Sequence, residues 1–296
     1  MEAFRERLLH LHHCRGVGWK TIQKILSVDA KLEKLYQLSE QELISHYSLQ
    51  KKYVSLLYQD LHTISMPLLI QEYREKQIIP ITFFENEYPP TLRQLFDPPW
   101  VLYCKGNIAL LHYPKALAVV GTREPTKGGQ RSLEKIVRPI VEDRWLIVSG
   151  LAKGIDTMAH RLTMNYGGKT IAILGSGFDY IYPSVNERLA DEIGRYHLLL
   201  SEYPAKTKPN KWQFPERNRL ISGLSKGTVV VEAKERSGAL ITADQALEQG
   251  KDVFAVPGPI YEQMSLGPNR LIQQGAKLIV EAKDILEEYE NESWEN

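Results

Sequence analysis

Cysteine is almost absent from this chain, with Cys14 and Cys104 alone among 296 residues and no C-x-x-C pair. That excludes a disulfide framework and a thiolate zinc cluster, and it fits a reducing cytoplasm. No stretch approaches the roughly 18 apolar residues of a membrane span. The first 16 residues, MEAFRERLLHLHHCRG, carry charges and histidines where a signal peptide needs an apolar run, so an intracellular protein is expected. Net charge is nearly nil, 37 Lys and Arg against 36 Asp and Glu. No global field therefore steers the chain toward nucleic acid or an acidic membrane, and any polyanion site has to be local. The G-x-G-x-x-G and G-x-x-x-x-G-K-[ST] patterns are both missing, which removes the dinucleotide fingerprint and the P-loop. Ser149 sits in V-S-G-L and Ser176 in L-G-S-G-F, neither a G-x-S-x-G elbow, so serine hydrolysis is not supported. What is left, at 43% apolar and 25% charged residues, is an ordinary globular composition sufficient for one or two domains.

The small net charge hides an uneven distribution. Glu281 to Asn296 holds seven acids against Lys283, so residues 1 to 280 carry +7. The densest basic run is Tyr203 to Arg219, YPAKTKPNKWQFPERNR, in which Lys206, Lys208, Lys211, Arg217 and Arg219 face Glu216 alone. Charge by itself leaves open a solvated loop or a polyanion patch.

Residues 1 to 65 read as short helices, with apolar positions at helical spacing in Phe4, Leu8, Leu9, Leu11, in Ile22, Ile25, Leu26, and in Leu49, Tyr53, Leu56, Leu57. Between the first two lies GVGWKTIQKIL, which resembles a helix-hairpin-helix turn: its glycine amides could meet a phosphate beside Lys20 and Lys24, or the corner could simply pack. His10, His12, His13 and Cys14 stand at helical spacing, but Leu, Arg and Gly surround them, so an exposed helix end is expected there rather than a metal site. Residues 66 to 114, with Pro pairs at 89–90 and 98–99, read as a strand-bearing connector. From 115 to 285, apolar runs alternate with helix-length stretches: Ala116 to Val120, Leu146 to Ser149, Thr170 to Leu174, Leu198 to Ser201, Thr228 to Glu232, Asp252 to Val256 and Leu278 to Val280. Continuous apolar strands are buried on both faces, which predicts an α/β doubly wound, mostly parallel Rossmann-like sheet. Residues 286 to 296 form an acidic tail.

In such a sheet the ligand lies beyond the carboxyl ends of the strands. The residues following the runs are small and polar: GTREPTKGG, SGLAKGID, GSGFDYIYP, SEYP, EAKERSGALITA and PGPI. Arg123, Lys153 and Arg236 converge on that edge, which makes it a phosphate-binding surface. His160, after GIDTMA, stands either near this site or within helix packing.

The ordered blocks VVGTREPT, SGLAKGIDTMAH, ILGSGFDYIYPSVN, SEYP, FPERNRLISGLS, VVVEAKERSGALITADQALEQGKDVFAVPG and GPNRLIQQGAKLI resemble the DNA-processing protein A family, also called Smf, over about residues 80 to 285. The resemblance implies an extended Rossmann-like fold with a small helical, SAM-like N-terminal domain. It implies binding of single-stranded DNA without sequence preference, a mediator role that loads the RecA recombinase during natural transformation, a homodimer and no cofactor. Single-strand-binding protein is a further candidate partner. Block by block it implies that Arg123 contacts phosphate and that Ser149, Gly150 and Lys153 form a phosphate cradle. Lys211, Phe214, Arg217, Asn218 and Arg219 would add charge and a stacking face, and Ser237 and Gly238 would close the far wall. Core packing for Phe214, and ion pairs from Arg217 or Arg219 to Asp156 or Glu232, stand as the structural alternatives. Leu271, Ile272, Leu278 and Ile279 form an apolar cluster suited either to the sheet edge or to a two-fold contact, and the resemblance favours the contact.

Two departures bear on function. The first turn reads Thr126-Lys127-Gly128-Gly129 where family members often have an aromatic residue and one glycine. The chain ends in EEYENESWEN where many members continue into a winged helix, so no second DNA module is expected. The competing readings are an enzyme resembling nucleoside monophosphate phosphoribohydrolases and a free-nucleotide sensor. Where that enzyme group has P-G-G-x-G-T-x-x-E, this chain has R-S-G-A-L-I-T-A, without the Gly-Gly turn and the glutamate.

Overall fold

The computed structural model describes residues 2–290; the last part of the acidic tail, 291–296, lies outside the described residues. The chain divides into two compact units, Met1–Tyr88 with Phe96–Cys104, and Pro89–Leu95 with Lys105–Asn296.

In the first unit, helices α1 (Glu2–His13), α2 (Trp19–Val28), α3 (Glu40–Tyr47), α4 (Lys51–Thr63) and α5 (Met66–Glu75) precede β1 (Ile79–Thr82), which pairs antiparallel with β2 (Val101–Gly106). Helix therefore extends ten residues beyond the predicted span, because Ser65 and Pro67 start a further amphipathic turn that buries Tyr73. Gly16, at φ +76°, turns α1 into α2, and Gly18 is the cap of α2. The histidine cluster is not an exposed helix end. His10 Nδ1 lies 2.9 Å from the Tyr36 hydroxyl, His12 Nδ1 2.9 Å from that of Tyr103, and His13 Nε2 2.6 Å from that of Tyr73. Cys14 donates to the carbonyl of His10 and, like Cys104, is a buried free thiol. The expectation failed because the three tyrosine partners are distant in sequence.

The second unit contains α6 (Pro90–Arg93), β3 (Ala116–Val120), α7 (Lys127–Glu142), β4 (Leu146–Ser149), α8 (Ile155–Asn165), β5 (Thr170–Leu174), α9 (Glu187–Tyr196), β6 (Leu198–Ser201), α10 (Gln213–Gly223), β7 (Gly227–Val230), α11 (Gly238–Glu248), β8 (Asp252–Ala255), α12 (Leu266–Gln273), β9 (Lys277–Leu278) and α13 (Lys283–Glu290). Strands β6-β5-β4-β3-β7-β8-β9 lie side by side in that order, all parallel. The first six apolar runs of the sequence form strands within a residue or two of their predicted bounds, and β3, β4, β5 and β6 are covered on both faces and buried at every residue; the run Leu278 to Val280 gives only the two-residue edge strand Lys277–Leu278, whose residues are partly exposed because no strand lies beyond it. Leu133, Ile136, Val137, Ile140 and Val141 of α7 recur at helical spacing and pack with Leu117, Ile147 and Val229 of the sheet. A second cluster joins Leu189, Ala190 and Ile193 of α9 to Ala172, Leu174 and Leu199. Ile285 of α13 is buried in the first cluster, and Tyr289 donates to Asp252 at the start of β8, so α13 docks at the strand starts. Among the described residues no helix is long and apolar enough to cross a membrane.

The chain runs outward from β3 through β4 and β5 to β6, then returns to place β7 on the other side of β3. The ends of β3 and β7 therefore diverge at a switch point, the place where open parallel sheets leave a crevice.

Candidate functional site

A cavity of about 680 Å³ opens at this switch point. Its walls are Gly121 to Glu124 after β3, Lys234 to Gly238 after β7, and Lys211, Phe214 and Asn218 at the start of α10. A smaller hollow of about 260 Å³, lined by Arg123, Lys153, Tyr182, Phe214 and Arg217, shares several of these residues and makes the two one groove.

The loops that form the walls interlock. Thr122 donates its amide to the carbonyl of Glu232 (2.6 Å), and Ile155 donates to the carbonyl of Thr122 (3.1 Å). Gly154, at φ +76°, lets the loop after β4 lie against that after β3: a Cβ there would run into the Thr122 carbonyl and stand 2.6 Å from the Arg123 carbonyl carbon. Arg123 is thus held from β4 and β7 while its side chain stays exposed.

The predicted cradle after β4 is committed inward. Ser149 is fully buried and donates to the carbonyl of Val119 (2.6 Å). The amide of Gly150 donates to Asp156 (3.1 Å), and its carbonyl accepts from Arg217. Ser149 and Gly150 therefore shape the groove but offer it no free polar group, because the loop must satisfy its own buried backbone. Lys153, three residues on from Gly150, is exposed at the rim.

Arg217 is 5% exposed and fastens strand ends together. Its Nη1 donates to the carbonyls of Gly150 and Ile173, and its Nε donates to Asn218 (3.1 Å). Burial lowers its pKa to about 10, against the opposing pull of Asp156. Burial likewise raises the pKa of Asp156, which Arg217 and the amides of Ala152 and Gly150 counteract. Arg219 pairs with Glu202 at 2.8 Å, neither Asp156 nor Glu232 being its partner. Asn218 donates to the carbonyl of Gly238 (3.3 Å) and ties α10 to the start of α11, where Ser237 accepts from the amide of Ala239. The cations that remain exposed on the groove, Arg123, Lys153, Lys211, Lys234 and Arg236, have no ion-pair partner among the described residues.

Phe214 is half-buried. One side of its ring rests on Gly175, where a Cβ would stand 2.8 Å from the ring, and Tyr182 lies 5.4 Å from it between centroids. Two aromatic residues were not expected from the sequence. Tyr182 is 49% exposed and lines both parts of the groove, and Trp212, 57% exposed, stands edge-on to Tyr203 at 6.2 Å. Their signal was present in FDYIYP and KWQF, but nothing in those strings tells a surface ring from a core ring. Lys208 lies 5.9 Å from the centre of the Tyr180 ring.

Other candidates fall away from the groove. His160 is fully buried, with Nδ1 2.7 Å from the Thr170 hydroxyl, and burial lowers its pKa to about 3. Ser176 donates to the carbonyl of Tyr180. No group of three potential metal ligands exists among the described residues. Of the apolar cluster near the last strand, Leu271 and Ile279 are buried within the unit, Ile272 is half-buried and Leu278 is 46% exposed.

The family profile described as DNA recombination-mediator protein A matches residues 80–290. The chain is 49% identical over 223 residues to the DNA processing protein DprA of Bacillus subtilis, covering 75% of each. The X-ray structure of DNA processing protein A from Streptococcus pneumoniae superposes with a TM-score of 0.84 at 39% identity, over 96% of this chain and 98% of that one. DNA processing protein A from Helicobacter pylori, solved for its single-stranded DNA binding mode, gives 0.66 at 32% identity over 73% of this chain and 97% of its own.

Proposed function

The chain belongs to the DNA recombination-mediator protein A family, and from that premise we propose that it binds single-stranded DNA along the strand-end groove and passes the strand to the RecA recombinase. The observation that carries this reading is the interleaving of exposed cations with ring faces in one groove: Arg123, Lys153, Lys211 and Arg236 beside Phe214 and Tyr182. A charged track that follows the backbone, with aromatic faces on which any base stacks, is what sequence-tolerant strand binding requires. Phosphates meet Arg123, Lys153 and Lys211; bases stack on Phe214 and Tyr182; Asn218, Ser237 and Gly238 form the far wall. Ser149, Gly150, Arg217 and Arg219 support this surface from behind. The protein acts as a binding module rather than an enzyme, and two copies associate through the edge at Ile272 and Leu278, with Leu271 and Ile279 as the core beneath.

The test is fluorescence anisotropy of a labelled mixed-sequence strand and its duplex over a range of salt, for the wild type and for Arg123→Ala with Lys211→Ala. Preference for the strand, steep salt dependence and its loss in the double variant are expected. Equal binding of duplex and strand, or no effect of the double variant, overturns the reading.

A further inference from the structure

Glu232 lies two residues beyond β7, is 9% exposed, and its side chain is not among those that line the groove described above. Its carboxylate accepts from the amide of Thr126 (2.9 Å) and from the Thr126 hydroxyl (2.6 Å), and that hydroxyl accepts in turn from the amide of Gly129 (3.0 Å). Its main-chain carbonyl accepts from the amide of Thr122. One residue thus grips both ends of the segment that carries Arg123. A Cβ at position 129 would run into the carboxylate, so the glycine there makes room for it.

The place this carboxylate fills is the amino end of the sixteen-residue helix α7, which follows the central strand at the switch point. In nucleotide-binding sheets a phosphate sits at such an end, attracted by the helix dipole and free amides. Here Thr126 caps the helix and the carboxylate of Glu232 stands behind the cap, so the chain supplies its own anion.

We propose that Glu232 is a positioning residue for Arg123 that also excludes free nucleotides: its carboxylate occupies the phosphate place at α7 and leaves the groove to the phosphodiester backbone of a strand. The inference rests on the strand-binding reading of the groove. It explains why a cation-lined crevice at the switch point of a parallel sheet carries neither nucleotide fingerprint, and why a buried acid stands directly behind cations meant for phosphate.

The experiment compares wild type, Glu232→Ala, Glu232→Gln, Arg123→Ala and the Glu232→Ala/Arg123→Ala pair. It reads strand affinity against salt by anisotropy, and binding of adenosine monophosphate by calorimetry. Glu232→Ala should weaken strand binding as much as Arg123→Ala does, with a log-log salt slope shallower by about 0.7, the value for one phosphate contact on a single strand. The pair should be no worse than either single variant. Glu232→Gln, which keeps an acceptor for Thr126 and still fills the place, should restore the slope and bind adenosine monophosphate no better than wild type, whereas Glu232→Ala, which empties the place, should bind it at least tenfold more tightly. A Glu232→Ala protein with the wild-type slope, or one that gains no nucleotide binding, overturns the proposal; if the alanine variant does not fold, Glu232→Ser, read in the same two assays, decides it. Failure of the groove reading shows separately, as a wild type that does not bind strand.

Discussion

Replacing Arg217 by alanine separates two roles that the basic run of the sequence could not distinguish. In the structure its guanidinium bridges the carbonyls of Gly150 and Ile173 and is nearly inaccessible. Removing it leaves two buried carbonyls unmet at about 1–3 kcal/mol each. It also strips Asp156 of the cation that counteracts its burial, while the variant is relieved of a buried charge. The balance falls at about 2–4 kcal/mol, and a unit of roughly 200 residues loses about 2–4 °C in Tm per kcal/mol, so a drop of roughly 5–15 °C is expected. Arg217→Lys, with a single ammonium and no fork, should recover only part of it. The assay is thermal unfolding, paired with strand-binding anisotropy at several salt concentrations below the variant's transition. A clamp predicts a lower Tm and an unchanged salt slope. A Tm within about 2 °C of wild type, with a slope shallower by about 0.7, would make Arg217 a phosphate contact and refute the reasoning.

Phe214→Ala should weaken strand binding about 5- to 150-fold, the 1–3 kcal/mol of one stacked base, with little change in salt slope, whereas Phe214→Trp retains affinity in the same anisotropy assay. Gly154→Ala forces a side chain into a positive-φ position against the Thr122 and Arg123 backbone, and should cost about 2–6 kcal/mol in urea unfolding from strain and overpacking together; a midpoint equal to wild type contradicts the interlocked loops. His160, held neutral by burial down to about pH 3, takes up a proton in the unfolded chain below its ordinary value near 6.5. The unfolded state therefore binds more protons between these limits, and stability falls with acid by up to about 1.4 kcal/mol per pH unit. Urea midpoints at pH 7.5 and 5.0 should show a smaller acid loss in His160→Gln than in wild type, and equal losses would reassign the effect.

Strand positions were legible because each central strand is apolar on both faces, so five-residue runs such as Ala116 to Val120 stand out without any tertiary information. The extent of α5 and the fate of the histidines were not. Helix α5 is held by the burial of its own Tyr73, and the histidines by Tyr36, Tyr73 and Tyr103, which lie 26 to 91 residues away in the chain.

The amino-acid order alone determined the parallel α/β architecture, the small and polar strand ends where the groove opens, and the concentration of positive charge between Tyr203 and Arg219, since these follow from local pattern and composition. Tertiary structure decided which of those charges are available. Arg217 is consumed by the carbonyls of Gly150 and Ile173 and Arg219 by Glu202, while Arg123, outside that run, keeps its side chain in solvent on a loop whose Thr122 and Thr126 bond Glu232 more than a hundred residues away. A buried donor must find its partner wherever the fold brings one, and that pairing is a property of the sheet order rather than of any neighbouring residue.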